Sequence, residues 1–107
     1  MAVYIVAQLR FRDEERYRRY QAGFGAVFAR SGGRLLAADE SPRVMEGDWP
    51  WQKVVMMEFA DAPAAERFMA DPDYVAIAED RKAGAETVAL LVHGWGAQGA
   101  PRGVGAA

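Results

Sequence analysis

Glu46-Gly47-Asp48-Trp49-Pro50-Trp51 is the stretch that decides how the rest of this sequence folds. Gly47 tolerates backbone angles closed to other residues, Asp48 can bond its own downstream backbone, and Pro50 lacks an amide donor. All three favour a bend. Apolar runs of strand character precede and follow the stretch. We therefore expect a turn here, near the chain's midpoint, with a strand on each side.

The residues before the turn predict two strands with a helix between them. Val3 to Phe11 alternates apolar and mixed residues with the period of two that is typical of a strand. Asp13 to Arg30 predicts a helix, because Asp13 suits an N-cap and aromatic residues recur at helical spacing. Arg34 to Ala38 predicts the second strand. We expect that strand to resume at Arg43–Glu46 after an irregularity at Ser41-Pro42, because proline cannot donate to a ladder.

The residues after the turn repeat this pattern. Lys53 to Phe59 predicts a third strand, and a second helix follows until Pro72 ends it, with a further turn or two beyond. Thr87 to His93 predicts the fourth strand. From there the composition shifts to Gly, Ala and Pro. We expect one domain over residues 1–95 and a C-terminal tail over residues 96–107, which is too poor in apolar bulk to offset the entropy of ordering.

This order of elements predicts an α+β fold of the ferredoxin-like, split βαβ type. In that fold two main helices cover one face of a four-stranded antiparallel sheet. The other face would expose much apolar surface, which is unusual in a monomer. We therefore expect two copies to pair sheet to sheet as a dimeric α+β barrel. The apolar residues expected on that face are Tyr4, Val6, Leu36, Val54 and Met56, and the polar residues expected to line the enclosed space are Gln8, Arg10, Glu58 and His93.

Composition narrows the classes of function. The chain has 107 residues and a net charge of -2, which argues against a nucleic-acid binder. No apolar run approaches the roughly 20 residues that span a bilayer, and the N-terminus lacks the pattern of a secretory signal, so we expect a cytoplasmic protein without membrane contact. The chain has no cysteine and one histidine. Disulfides and thiolate chemistry are thereby excluded, and we expect neither a metal site nor a cofactor.

The sequence also resembles the domain of unknown function 1330 family, within the dimeric α+β barrel superfamily. The resemblance covers roughly Val3 to Val92 and leaves out the Gly- and Ala-rich tail after Trp95. It implies the same fold and a homodimer. Relatives in the superfamily include cofactor-free monooxygenases, lactone isomerases and haem-binding enzymes, so the resemblance selects no single chemistry. The features that carry it, besides the opening strand, are Tyr17, Tyr20, Gly32-Gly33-Arg34, the segment Val44–Pro50, Glu58-Phe59 and Asp71-Pro72-Asp73-Tyr74.

His93 and Glu58 are the candidate catalytic residues. A histidine titrates near neutrality and can act as a general base, although a lone histidine at a strand end is also an ordinary exposed residue. Arg10 and Glu58 are expected on neighbouring strands, where they would hold a polar ligand or form a structural ion pair. The sequence contains no Ser-His-Asp arrangement, phosphate-binding loop or dinucleotide fingerprint.

The candidate ligand-binding residues are Arg10, Gln8, Arg34, Trp49 and Trp51. The two indoles would stack on a planar molecule at the rim of the barrel. Their alternative role is to shape the hairpin and contact the second copy, since aromatic side chains often anchor interfaces.

We therefore expect a homodimer that binds a small, largely apolar molecule in the barrel. One alternative is a cofactor-free isomerase or monooxygenase, in which the protein supplies a base and a dry pocket. Another is a non-catalytic assembly or sensing module, whose barrel is filled by interdigitated Met56, Leu91 and Tyr4. Empty volume distinguishes a binding protein from a packed module.

Overall fold

The computed structural model describes residues 1–96 and contains a four-stranded antiparallel sheet with three helices. The strands lie in the order β2-β3-β1-β4. The α+β, split βαβ arrangement is thus confirmed. The expected tail, apart from residue 96, lies outside the described residues. The elements are β1 (Val3–Phe11), α1 (Glu14–Ala29), β2 (Arg34–Asp39), β3 (Lys53–Phe59), α2 (Ala62–Ala70), α3 (Pro72–Gly84) and β4 (Ala85–His93).

The central strand β1 sets the two faces of the sheet. Val3, Ile5 and Leu9 are buried on the side of the helices, as the alternation predicts. Directly paired residues of antiparallel strands share a face. The pairing of Ile5 with Met57 and Leu91 therefore places those residues on the helix side too. We call the opposite side, which none of the helices in residues 1–96 covers, the open face.

The first helix begins and packs as its sequence predicts. Asp13 is its N-cap, and the Asp13 side chain accepts a hydrogen bond from the Arg16 amide at 3.2 Å. Beneath the helix, aromatic rings form much of the core. Phe28 meets Phe68 edge to face with ring centroids 5.4 Å apart, and Phe59 lies 5.6 Å from Phe68. These contacts tie α1 and α2 to the sheet.

The helix after Pro72 is much longer than the turn or two expected. Asp71 caps it by accepting from the amides of Asp73 and Tyr74, and Pro72 takes the first helical position, where its missing amide hydrogen costs nothing. The helix has 13 residues and packs mainly against α1. Gly84 at its end makes that approach possible. A Cβ there would lie 2.5 Å from the Tyr17 backbone nitrogen.

The second strand also differs from expectation. It runs to Asp39 with a bulge between Leu35 and Ala37, and Arg43–Glu46 does not continue it. Those residues belong to the connection to β3. Of the helices in residues 1–96, none combines enough length and apolar character to cross a bilayer.

Candidate functional site

A partly open cavity of about 240 Å³ lies between the sheet and the helices. Its floor is the helix side of β1, β3 and β4, and its roof is formed by α1 and α3. Most of the wall is apolar. This cavity thus lies on the other side of the sheet from the one expected to form the barrel. The polar or charged lining residues are Tyr17, Tyr20, Gln21, Lys53, Tyr74, Arg81 and Thr87.

Lys53 is a cation buried at this wall. Lys53 is only 4% exposed. It is the first residue of β3 and pairs with Leu9, which places it on the helix side of the sheet. Its Nζ lies 3.3 Å from a Glu40 carboxylate oxygen and 4.9 Å from the centroid of the Tyr17 ring. Burial of a charge requires such a partner. Glu40 and the face of the Tyr17 ring together stabilise the ammonium group.

Glu40 itself is held by Arg18 of α1. Arg18 donates from both terminal nitrogens to the two Glu40 oxygens, at 2.6 and 2.8 Å. These hydrogen bonds, with a smaller contribution from Lys53, lower the pKa of Glu40 from its ordinary 4.5 to about 2. Glu40 therefore stays ionised at neutral pH, and the Arg18–Glu40–Lys53 chain links α1 to β3 beside the cavity.

Two tyrosines meet at the cavity wall. The hydroxyls of Tyr20 and Tyr74 lie 3.2 Å apart and are buried. Burial is the main cause that raises the pKa of Tyr20 above its ordinary value, and the Tyr74 hydroxyl adds to it. Tyr20 thus presents a neutral hydroxyl group. The guanidinium carbon of Arg81 lies 5.8 Å from the centroid of the Tyr20 ring.

This cavity and its polar groups were not predicted from the sequence. The position of Lys53 did carry a signal. Lys53, Val55 and Met57 are alternate residues of β3, and alternate residues of a strand lie on the same face. Thr87 and Ala89 are likewise alternate residues of β4 and lie on one face. The arginine on α3 had no such signal, since α3 itself was predicted far too short.

His93 lies away from both the cavity and the polar residues of the open face. It is exposed at the end of β4 and pairs with Val3, so it shares the helix side of the sheet. The expectation that His93 lines the same space as Gln8, Arg10 and Glu58 is therefore wrong. Leu91, expected among the residues that fill the barrel, also lies on the helix side. Among residues 1–96, no group of three or more His, Cys, Asp or Glu residues is placed to hold a metal ion.

Arg10 and Glu58 occupy opposite ends of the open face. Glu58 pairs with Tyr4, six positions before Arg10 on β1, which corresponds to about 20 Å along a strand. Each has another partner. Arg10 forms an ion pair with Glu86, and Arg34 lies 2.8 Å from Glu58. The two residues are thus too far apart to hold one small ligand together or to form the expected ion pair with each other.

The two indoles lie at the Arg10 end of the sheet. Trp49 donates from Nε1 to the Gln8 side-chain oxygen at 2.8 Å, and the Arg10 guanidinium lies 5.5 Å from the Trp51 ring centroid. Four of the five candidate ligand-binding residues therefore come together there. Arg34 lies at the other end, beside Glu58.

Most of the rest of the open face is apolar, and part of it is exposed. Leu90 is 51% exposed and Val92 is 41% exposed, and both pair with β1 residues of that face. Val6 and Met56 lie beside each other there, half-buried. A continuous apolar surface of this kind usually marks an interface.

Solved structures share this fold. A protein of unknown function from Rhodopseudomonas palustris, RPA0582, is 21% identical with a TM-score of 0.72, over 85% of this chain and 80% of that one. SnoaB, a cofactor-independent oxygenase from Streptomyces nogalater, is 20% identical with a TM-score of 0.62, over 87% and 92%. A dimeric protein of unknown function with a ferredoxin-like fold from Bacteroides fragilis is 16% identical with a TM-score of 0.62, over 87% and 96%.

At these identities the likeness establishes the fold and nothing more. None of the curated proteins matches this chain in sequence. Residues 2–95 match the model of a family described as a domain of unknown function, DUF1330.

Proposed function

This chain belongs to the DUF1330 family, a domain of unknown function, and we propose that it binds a small, largely apolar molecule in the cavity between its sheet and its helices. The observation that carries the proposal is a cavity of about 240 Å³ whose mostly apolar wall holds a few polar groups. Small-molecule sites in proteins have this composition, at volumes of about 300–1,000 Å³. The ligand is therefore small, about the size of a single substituted ring.

The cavity is suited to binding because several of its polar groups are fixed. Lys53 is held by Glu40, and the Tyr20 and Tyr74 hydroxyls hold each other. Side chains fixed in this way do not lose further conformational freedom when a ligand arrives, which favours affinity.

A cavity-filling substitution tests this proposal. Ala7 lines the cavity, so Ala7→Leu should occupy part of its volume, whereas Ala22 is exposed on α1 and Ala22→Leu serves as the matched control. Thermal unfolding is measured with a panel of single-ring aromatic molecules, neutral and acidic. We expect at least one to stabilise the wild type and the control but not Ala7→Leu. Equal stabilisation of all three proteins, or of none, would overturn the proposal.

We further infer that two copies pair through the open face. Its exposed Leu90 and Val92 and the half-buried Met56 support this, and a solved relative in fold is described as dimeric. Trp49 and Trp51, with Gln8, Arg10 and Arg34, would then lie at or near the interface or contact a second ligand held between the sheets. The chamber between two sheets that the sequence led us to expect would form only in this dimer, and it remains part of the same proposal.

Catalysis is the second candidate function, and the tyrosine pair favours it. A neutral Tyr20 hydroxyl beside Tyr74 can donate a hydrogen bond to an oxyanion that develops on a substrate in the cavity. A cofactor-free isomerase or oxygenase needs that kind of group. Glu58 and His93 do not line the cavity, so a catalytic role for them would require a different site. If turnover of a bound molecule is found, Tyr74→Phe should lower kcat more than it weakens binding.

A further inference from the structure

Two buried donors at the cavity wall have no hydrogen-bond partner within residues 1–96. They are Arg81 Nε and Thr87 Oγ1. Arg81 lies in the last turn of α3 and Thr87 lies in β4, which follows α3 directly, and both residues line the cavity. An unsatisfied buried polar group costs about 1–3 kcal/mol. Two such groups beside one cavity indicate an acceptor that enters from the cavity.

The charges of the wall indicate which kind of acceptor. Its charged lining residues are Lys53 and Arg81, and none of its lining residues is Asp or Glu. Lys53 is compensated by Glu40, which is not a lining residue. The guanidinium group of Arg81 offers hydrogen-bond donors only. An anionic oxygen is therefore the complementary group, because it makes stronger hydrogen bonds with a guanidinium than a neutral oxygen does.

The size and the rings of the cavity indicate the body of the ligand. An apolar cavity of about 150 Å³ holds benzene, so about 240 Å³ leaves room for one ring and a small anionic group. The aromatic residues of the wall supply surfaces on which a ring packs. They are Tyr17, Tyr20, Phe24 and Tyr74.

We propose that the ligand is a small monoanion with a single-ring apolar body, most simply an aromatic carboxylate, and that Arg81 Nε and Thr87 Oγ1 donate hydrogen bonds to its oxyanion. This inference rests on the proposed function of the cavity. It adds the chemical class of the ligand and the two side chains that select it.

Two probes of nearly equal shape test the inference. They are 4-methylbenzoate and 4-methylbenzamide, titrated by calorimetry at pH 7 into the full chain and into its variants. We expect the carboxylate to bind at least about tenfold more tightly than the amide. Arg81→Met should weaken carboxylate binding by about ten- to a hundredfold, and Thr87→Val, which keeps the side-chain shape, by about five- to tenfold. Neither change should alter binding of the amide by more than about twofold.

The controls separate this inference from the proposal beneath it. Arg67→Met removes an exposed arginine of α2 that does not line the cavity, and it should leave both affinities unchanged. Equal affinity of the two probes would overturn the anion preference while leaving ligand binding intact. If neither probe binds, the result would count against both the anion preference and the proposed binding function of the cavity. A preference that survives Arg81→Met and Thr87→Val would reject the two donors, and if Arg81→Met fails to fold by circular dichroism, Thr87→Val decides.

Discussion

The Lys53 ammonium lies 3.3 Å from the Glu40 carboxylate and is buried, while Glu40 remains partly accessible to solvent. This pair links Lys53, the first residue of β3, to Glu40, which directly follows β2. Arg18 of α1 donates a hydrogen bond to the same carboxylate. Loss of this ion pair should cost most at Lys53, because the buried ammonium group would be left without its carboxylate.

Glu40→Gln should therefore lower the free energy of unfolding by about 1–3 kcal/mol, because Lys53 would keep its burial but lose its carboxylate. Urea denaturation monitored by tryptophan fluorescence measures this. Glu14→Gln is the matched control, since Glu14 contacts Arg18 only through an exposed pair at 3.3 Å and should cost under about 0.5 kcal/mol. Similar losses in the two variants would show that burial of Lys53 does not matter.

The same carboxylate predicts a pH dependence. The folded pKa of Glu40 is about 2, below its ordinary 4.5, so its contribution to stability is complete above the ordinary value and is lost as the pH falls towards 2. The difference in stability between wild type and Glu40→Gln should thus shrink between pH 5 and pH 2. Chemical denaturation at intervals across that range measures it. A difference that stays constant would contradict the assignment.

Gly84→Ala should destabilise the protein by about 1–3 kcal/mol through overpacking. The new methyl group would meet backbone atoms of Tyr17 and Asp13 at 2.5 and 2.8 Å, and backbone cannot move aside as a side chain can. Gly25→Ala is the control on α1, where a Cβ meets nothing within 4 Å. It should stabilise by about 0.5–1 kcal/mol, because glycine disfavours a helix interior. Thermal unfolding of both variants decides, and a neutral Gly84→Ala would refute the close packing of α1 against α3.

Leu90→Lys should convert the proposed dimer into a monomer, because it places a charge on the apolar part of the open face. Sedimentation at micromolar concentration should give twice the mass of the 11.7 kDa chain for the wild type and a single chain for the variant. Val75→Lys, on a valine of α3 that is 44% exposed, should remain dimeric. A wild type that sediments as one chain would exclude the dimer at that concentration.

The parts of the fold that the sequence predicts well are those with local signals. The alternation in Val3–Phe11 and the cap at Asp13 lie within a few residues of the structure that they specify. Pro72 misled because a proline that ends one helix also suits the first position of the next, and the Asp71 cap selects the second role. Arg43–Glu46 has strand character, yet no neighbouring strand pairs with it in the described structure.

The site was harder to predict because it depends on distant parts of the chain. Lys53 alone looks like a solvated strand end, and only Glu40 and Tyr17, from two other elements, make its burial favourable. Arg81 becomes a candidate only when α3 is placed against the sheet. The open face, in contrast, followed from alternation alone, and its residues on β1 and β3 were predicted correctly.

The strand β1 contributes alternate residues to the two faces of the sheet. Ile5, Ala7 and Leu9 line the cavity, whereas Val6 and Gln8 lie on the open face. A single deletion within β1 would exchange the two sets and turn Arg10 towards the hydrophobic interior. We expect natural and engineered changes in length to be excluded from this strand and to accumulate instead in the connection between β2 and β3.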